Sequence, residues 1–80
     1  MNDATQKQVF SLMESVFGAP DGTVNLETTH DDVENWDSLN IINLMMSLEG
    51  AFGVSLDAEE AEQMLSTALV IDILESKGVE

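Results

Sequence analysis

Asp37-Ser38-Leu39-Asn40-Ile41-Ile42-Asn43-Leu44-Met45-Met46-Ser47-Leu48-Glu49-Gly50-Ala51-Phe52-Gly53 is the stretch from which the architecture follows. Leu39, Ile41, Ile42, Leu44, Met45, Met46, Leu48 and Phe52 recur at helical spacing, which predicts a helix over 38–52. Asp37 is placed to cap its start and Gly53 to end it. The apolar positions cover more than one stripe. Such a helix is either central to a bundle or keeps part of its surface for a partner. Ser38 puts one hydroxyl at the helix N-terminus, where the backbone favours a negative group. An Asp-Ser pair is also a common helix start, so the pair alone reads as a cap.

Upstream, Val9, Phe10, Met13, Val16 and Phe17 form one apolar stripe and predict a helix over 3–17. Asp3 with Gln6, and Thr5 with Gln8, are two candidate capping boxes. Gly18-Ala19-Pro20-Asp21-Gly22 stops that helix. The connection over 18–36 is long for a compact helical domain. Its Val24, Leu26, Val33 and Trp36 predict that it is pinned to the core, and long ordered loops often carry function. Downstream, a short third helix is expected over 58–64, opened by an Asp57–Glu60 capping box. A fourth is expected over 67–76, capped by Ser66 or Thr67 and closed by Lys77-Gly78. No strand alternation, repeat or low-complexity stretch is present. The expected fold is all-α: residues 1–80 as a single four-helix bundle with one long loop and a short helix III.

Eighty residues bury a modest core and leave no room for a large catalytic cleft. Sixteen acidic residues face two lysines, for a net charge of −14. That charge argues against nucleic acid and against anionic membrane surfaces. It favours proteins with basic patches. The apolar share of 44% is too high for a disordered acidic tail. No cysteine is present, so there is no disulfide, no thiolate metal site and no thiol nucleophile. No apolar run is long enough for a bilayer, and the acidic start lacks signal-peptide character. A soluble, cytoplasmic, monomeric protein is the expectation.

His30 is the only histidine, and no second base or nucleophile is placed beside it by sequence, so a surface histidine is expected. The acids do not form the loop of an EF-hand, so no metal site is expected. No residue is assigned a catalytic role.

The chain resembles the acyl carrier protein family. The resemblance runs through Asp37–Glu49 followed by Ala51-Phe52-Gly53-Val54, then Leu56-Asp57-Ala58-Glu59-Glu60-Ala61-Glu62, then Ile71-Asp72-Ile73-Leu74. It implies an acyl-carrier bundle in which Ser38 is esterified by 4′-phosphopantetheine, transferred from coenzyme A by a separate phosphopantetheinyl transferase. The arm ends in a thiol that carries an acyl group as a thioester, which matches a chain with no thiol of its own. Such a protein catalyses nothing. It tethers an intermediate and raises its effective concentration at each acyl-transferring or acyl-modifying enzyme. The resemblance further implies contact with partner enzymes through Asp37, Leu39, Met46, Glu49, Asp57, Glu59 and Glu60. It offers Ile41, Met45, Leu48, Val54, Ala61 and Ile71 as lining of an acyl pocket. On the sequence alone those six read first as plain helical core.

One departure stands out. Fatty-acid carriers usually present several acids on helix II, whereas this chain has Asn40, Asn43 and Gly50 and keeps Glu49. The departure points to a specialised fatty-acid, polyketide or related pathway. An aminoacyl or peptidyl carrier, an acidic interaction adaptor that never receives the arm, and a small cation-binding helical protein are the competing readings.

Overall fold

The computed structural model describes all of residues 1–80. Four helices follow in order: α1 (Asp3–Phe17), α2 (Ser38–Phe52), α3 (Ala58–Glu62) and α4 (Thr67–Ser76). There are no strands, only an isolated bridge between Thr29 and Ser66. The four-helix expectation is met.

Each helix starts on a side-chain oxygen that satisfies an otherwise free amide. Asp37 accepts from the Asn40 N–H, Asp57 from Glu60 and Ser66 from Leu69. Asp57 and Glu60 close the expected capping box. In α1 the cap is Asn2, which accepts from the Thr5 N–H, not Asp3 or Thr5 as the sequence boxes suggested. Asn2 precedes the helix with extended backbone, while Asp3 and Thr5 already lie inside it. Helix α3 also ends at Glu62, short of the expected 64. Met64 leaves the helical path and is fully buried, so its side chain serves the core from a turn.

Helix α1 packs on α2 and α4, and α2 packs on α3. Val9, Met13 and Phe17 from α1 meet Leu44 and Leu48 from α2 and Val70 and Leu74 from α4. Each of these is at most 1% exposed. Burying one such side chain stabilises the fold by about 2 kcal/mol.

The long loop over 18–37 is fastened at several points. The Glu14 carboxylate, buried on α1, accepts from the N–H groups of Gly22 and Val24 at 2.8 and 3.0 Å. The Thr28 carbonyl accepts from both the N–H and the hydroxyl of Thr67, at 2.9 and 3.1 Å. The His30 N–H donates to the Leu65 carbonyl at 3.0 Å. The Asn35 amide donates to the Phe17 carbonyl at 2.9 Å. Val24 and Trp36 are buried and Val33 is partly so, as expected, but Leu26 is 46% exposed. The chain ends also meet: the Asn2 N–H donates to the Glu80 carbonyl at 2.7 Å, and the terminal ammonium pairs with Glu75 at 2.7 Å.

Candidate functional site

Trp36 and Asp37 together determine how α2 begins. The Trp36 ring stacks on Phe17, with centroids 4.9 Å apart and planes 21° from parallel. Its indole N–H donates to the Met64 carbonyl at 2.9 Å. The tryptophan is thereby locked between α1 and the turn after α3, and the next residue, Asp37, is delivered to cap α2. Asn40 completes the junction by donating to the Asn35 carbonyl at 2.8 Å.

Ser38 is the first residue of α2 and is exposed. No intramolecular hydrogen bond engages its hydroxyl, while its neighbours Asp37 and Asn40 are both tied down. The oxygen is therefore free for an incoming group on a rigid support. A hollow of about 600 Å³ opens beside it. The loop contributes His30 and Trp36 to this hollow, α2 contributes Ile41, Ile42 and Met45, and α3 contributes Ala58, Ala61 and Glu62. Met64 and Leu65 complete it.

Of the six pocket residues expected from sequence, Ile41, Met45 and Ala61 line this hollow. Leu48, Val54 and Ile71 do not. Leu48 and Ile71 are buried in the bundle core. Val54 lies at the far end of α2, beside the chain termini. Trp36, Ile42 and Met64 were not expected there. The signal for Ile42 was available: residues 38, 41, 42 and 45 share one helix face by their spacing. Met64 comes from a turn whose path no periodicity encodes.

The residues expected at a partner surface fall into two groups. Leu39 and Met46 are 69% and 61% exposed, so they are not core. Ile42, at 48%, joins them in a stripe that runs from Ser38 along α2. The acids are more constrained. Asp37 and Asp57 cap helices. Glu49 accepts from the Leu56 N–H at 2.8 Å and so holds the turn after α2. Glu60 serves the capping box and pairs with Lys77 at 2.9 Å. Glu59 is exposed and enters no such bond. His30 lies at the rim of the hollow with Asp31 3.5 Å away, and no group of three His, Asp or Glu side chains is arranged to hold a metal.

An exposed helix-opening hydroxyl that no other group of the chain engages, above an apolar hollow, suits covalent attachment of a long flexible group. Comparison with known proteins agrees. The family model described as "Phosphopantetheine attachment site" matches residues 7–71, well over half of the chain. The fold is similar to the solution NMR structure of a holo acyl carrier protein from Geobacter metallireducens, with TM-score 0.76 and 25% identity, covering 91% of this chain and 84% of that one. With both the sequence family and the four-helix fold in agreement, the chain belongs to the phosphopantetheine-attachment family: it is a carrier protein of acyl-carrier type, non-catalytic, whose prosthetic group is covalently bound 4′-phosphopantetheine.

Proposed function

We propose that Ser38 is the attachment residue and that the protein shuttles acyl thioesters between the enzymes of one specialised biosynthetic pathway. The observation that carries the first half is the Ser38 hydroxyl: exposed, unengaged, on the first turn of α2 and beside the hollow. The residues fit the group. A phosphodiester on Ser38 sits at the positive end of α2. The apolar side chains of Ile41, Ile42 and Met45 lie where the arm leaves the serine. In the loading step the Ser38 oxygen forms a bond to the phosphorus of the pantetheine phosphate. The pyrophosphate bond of coenzyme A breaks, adenosine 3′,5′-bisphosphate leaves and the serine proton is released. A transferase supplies the catalysis. When bound, the group supplies the thiol on which an acyl unit rides.

Intact mass after incubation with coenzyme A and a broad-specificity transferase tests this reading. One phosphopantetheine is gained by the wild type and none by Ser38→Ala. Equal gain by both proteins would move the attachment elsewhere.

The specialised pathway is supported by Asn40 and Asn43. Asn40 is spent on the Asn35 carbonyl, and Asn43 donates to Asn40 at 3.3 Å. The start of α2 therefore offers partners amides and the Leu39–Ile42–Met46 stripe rather than a row of acids. Turnover of the acyl-loaded protein by a ketosynthase of general fatty-acid synthesis should be poor compared with its use of an acidic-faced carrier; equal turnover would refute the specialised reading.

A further inference from the structure

We propose that His30 is the positioning residue for the root of the arm, its protonated imidazole pairing with the phosphodiester on Ser38. This rests on the reading of Ser38 as the attachment point, and it concerns the phosphate end of the arm, not its cargo. His30 from the loop and Ser38 from α2 border one hollow of about 600 Å³. A compact space of that volume is about 10 Å across, one screening length of 0.1 M salt. Attachment adds a negative charge to a place already bordered by Asp37 and Glu62, with Asp31 beside His30. The side chains that can answer it with a positive charge are two lysines and one histidine. Lys77 is paired with Glu60 at 2.9 Å and lies at the other end of α2, near Gly53 and Val54. Lys7 lies on α1, which sends no residue to the hollow. The terminal ammonium is held by Glu75. His30 is the one group around the hollow that can become a cation.

The loop presents this imidazole from a fastened backbone. The His30 N–H donates to the Leu65 carbonyl at 3.0 Å. Its neighbour Thr29 bridges to Ser66 and donates its N–H to the Asp32 carboxylate at 3.0 Å. The ring is half exposed, and Nδ1 faces the Asp31 carboxylate at 3.5 Å. Asp31 is itself 84% exposed, so water weakens that pair. Nε2 is left for a second partner. A charge-assisted bond from the ring to a phosphate oxygen is the strong kind, and it forms only with the protonated ring. Histidine changes charge between about pH 5 and 8, so the root of the arm is held in mild acid and released above it. The other titratable groups that face the ring are Asp31 on its own loop, Asp37 at the start of α2 and Glu62 of α3, while the turn carrying Leu65 brings no charge. All three acids are present with and without the arm. What attachment changes is the phosphodiester alone, an opposite charge that favours the protonated ring.

The test is an NMR titration of the wild-type protein before and after loading from coenzyme A by a broad-specificity transferase. His30 is the only histidine, so its ring proton signal needs no assignment. The proton affinity of the ring should rise about fivefold or more on attachment, the factor that a unit charge about 4 Å away produces in water-like surroundings. The phosphorus signal of the loaded protein should step at the same midpoint, because a phosphodiester does not itself titrate in that range. His30→Gln should still gain the arm and lose the phosphorus step. Asp31→Asn should keep the rise in proton affinity. A ring titration that attachment leaves unchanged overturns the proposal, as does a flat phosphorus signal, or a step that survives in His30→Gln. A rise that vanishes in Asp31→Asn would belong to Asp31 and overturns it too. Should His30→Gln fail to fold, the wild-type pair of titrations decides. Failure of the wild type to gain the arm, or gain of it by Ser38→Ala, would instead sink the attachment reading, before any titration is run.

Discussion

Glu14 is the one carboxylate the structure buries, at 5% exposure, and it faces neither a lysine nor solvent but two backbone amides of the loop. A charged acceptor holding two N–H groups is worth more than an ordinary neutral bond. Glu14→Ala should lower stability by roughly 2–4 kcal/mol, because it removes the acceptor and leaves two donors facing a gap. Glu14→Gln, which keeps an oxygen in reach, should lose clearly less; urea denaturation of both would show it, and equal losses would argue against the bonds. A carboxylate at position 14 sits between Met13 and Phe17 of the apolar stripe of α1, and the stripe itself does not single it out. What it bonds to was not visible, because its partners lie on a segment with no periodicity. Asn40 teaches the same lesson. Its identity as a departure from an acidic face could be read from sequence, but the reason for it, the Asn35 carbonyl, depends on where the loop returns.

At the scale of elements, the strongly patterned helices α2 and α4 have the boundaries their spacing and caps imply, 38–52 and 67–76. The deviations are at α3 and at the α1 cap. Five residues give α3 a single turn and a half, too little for periodicity to outweigh the pull of Met64 toward the core. The hollow was half legible for a related reason: α2 contributes by helical spacing, whereas Trp36, Met64 and Leu65 arrive from turns. Two glycines of α2 should respond oppositely to alanine. Gly50 lies within the helix with open space where a Cβ would sit, so Gly50→Ala should stabilise by about 0.5–1 kcal/mol. Gly53 ends the helix at φ +67 with equally open space, so the penalty there comes from backbone alone, and Gly53→Ala should destabilise by about 1–2 kcal/mol. Thermal melts of the pair would separate conformational cost from packing, since neither new methyl touches a neighbour.

At the scale of the molecule, sixteen acids and two lysines occupy a body with a radius of gyration of 11.1 Å. Lys77 is paired with Glu60, and no cluster gathers a metal, so the repulsion has few local remedies. The screening length in water is roughly 10 Å at 0.1 M salt and about 30 Å at 0.01 M. At the lower value every charge feels every other across an extent of 29 × 27 × 19 Å; at the higher value only near neighbours do. The thermal midpoint should therefore rise between 0.01 M and 0.1 M sodium chloride. A midpoint that does not move would mean that the acids are already far enough apart.

The meeting of the two chain ends has a consequence for handling this protein. The C-terminal residues gather with Gly53 and Val54 at one pole, and α2 is 15 residues long, so Ser38 lies about 20 Å away along its axis. A fusion joined at either end, or a linker to a bead or sensor chip, departs from the pole opposite the serine. A short bridge from Glu80 to Met1 would close the backbone into a ring at little entropic expense. Hung from that single point, the molecule presents its Ser38 end outward, free to swing toward whatever it is hung beside.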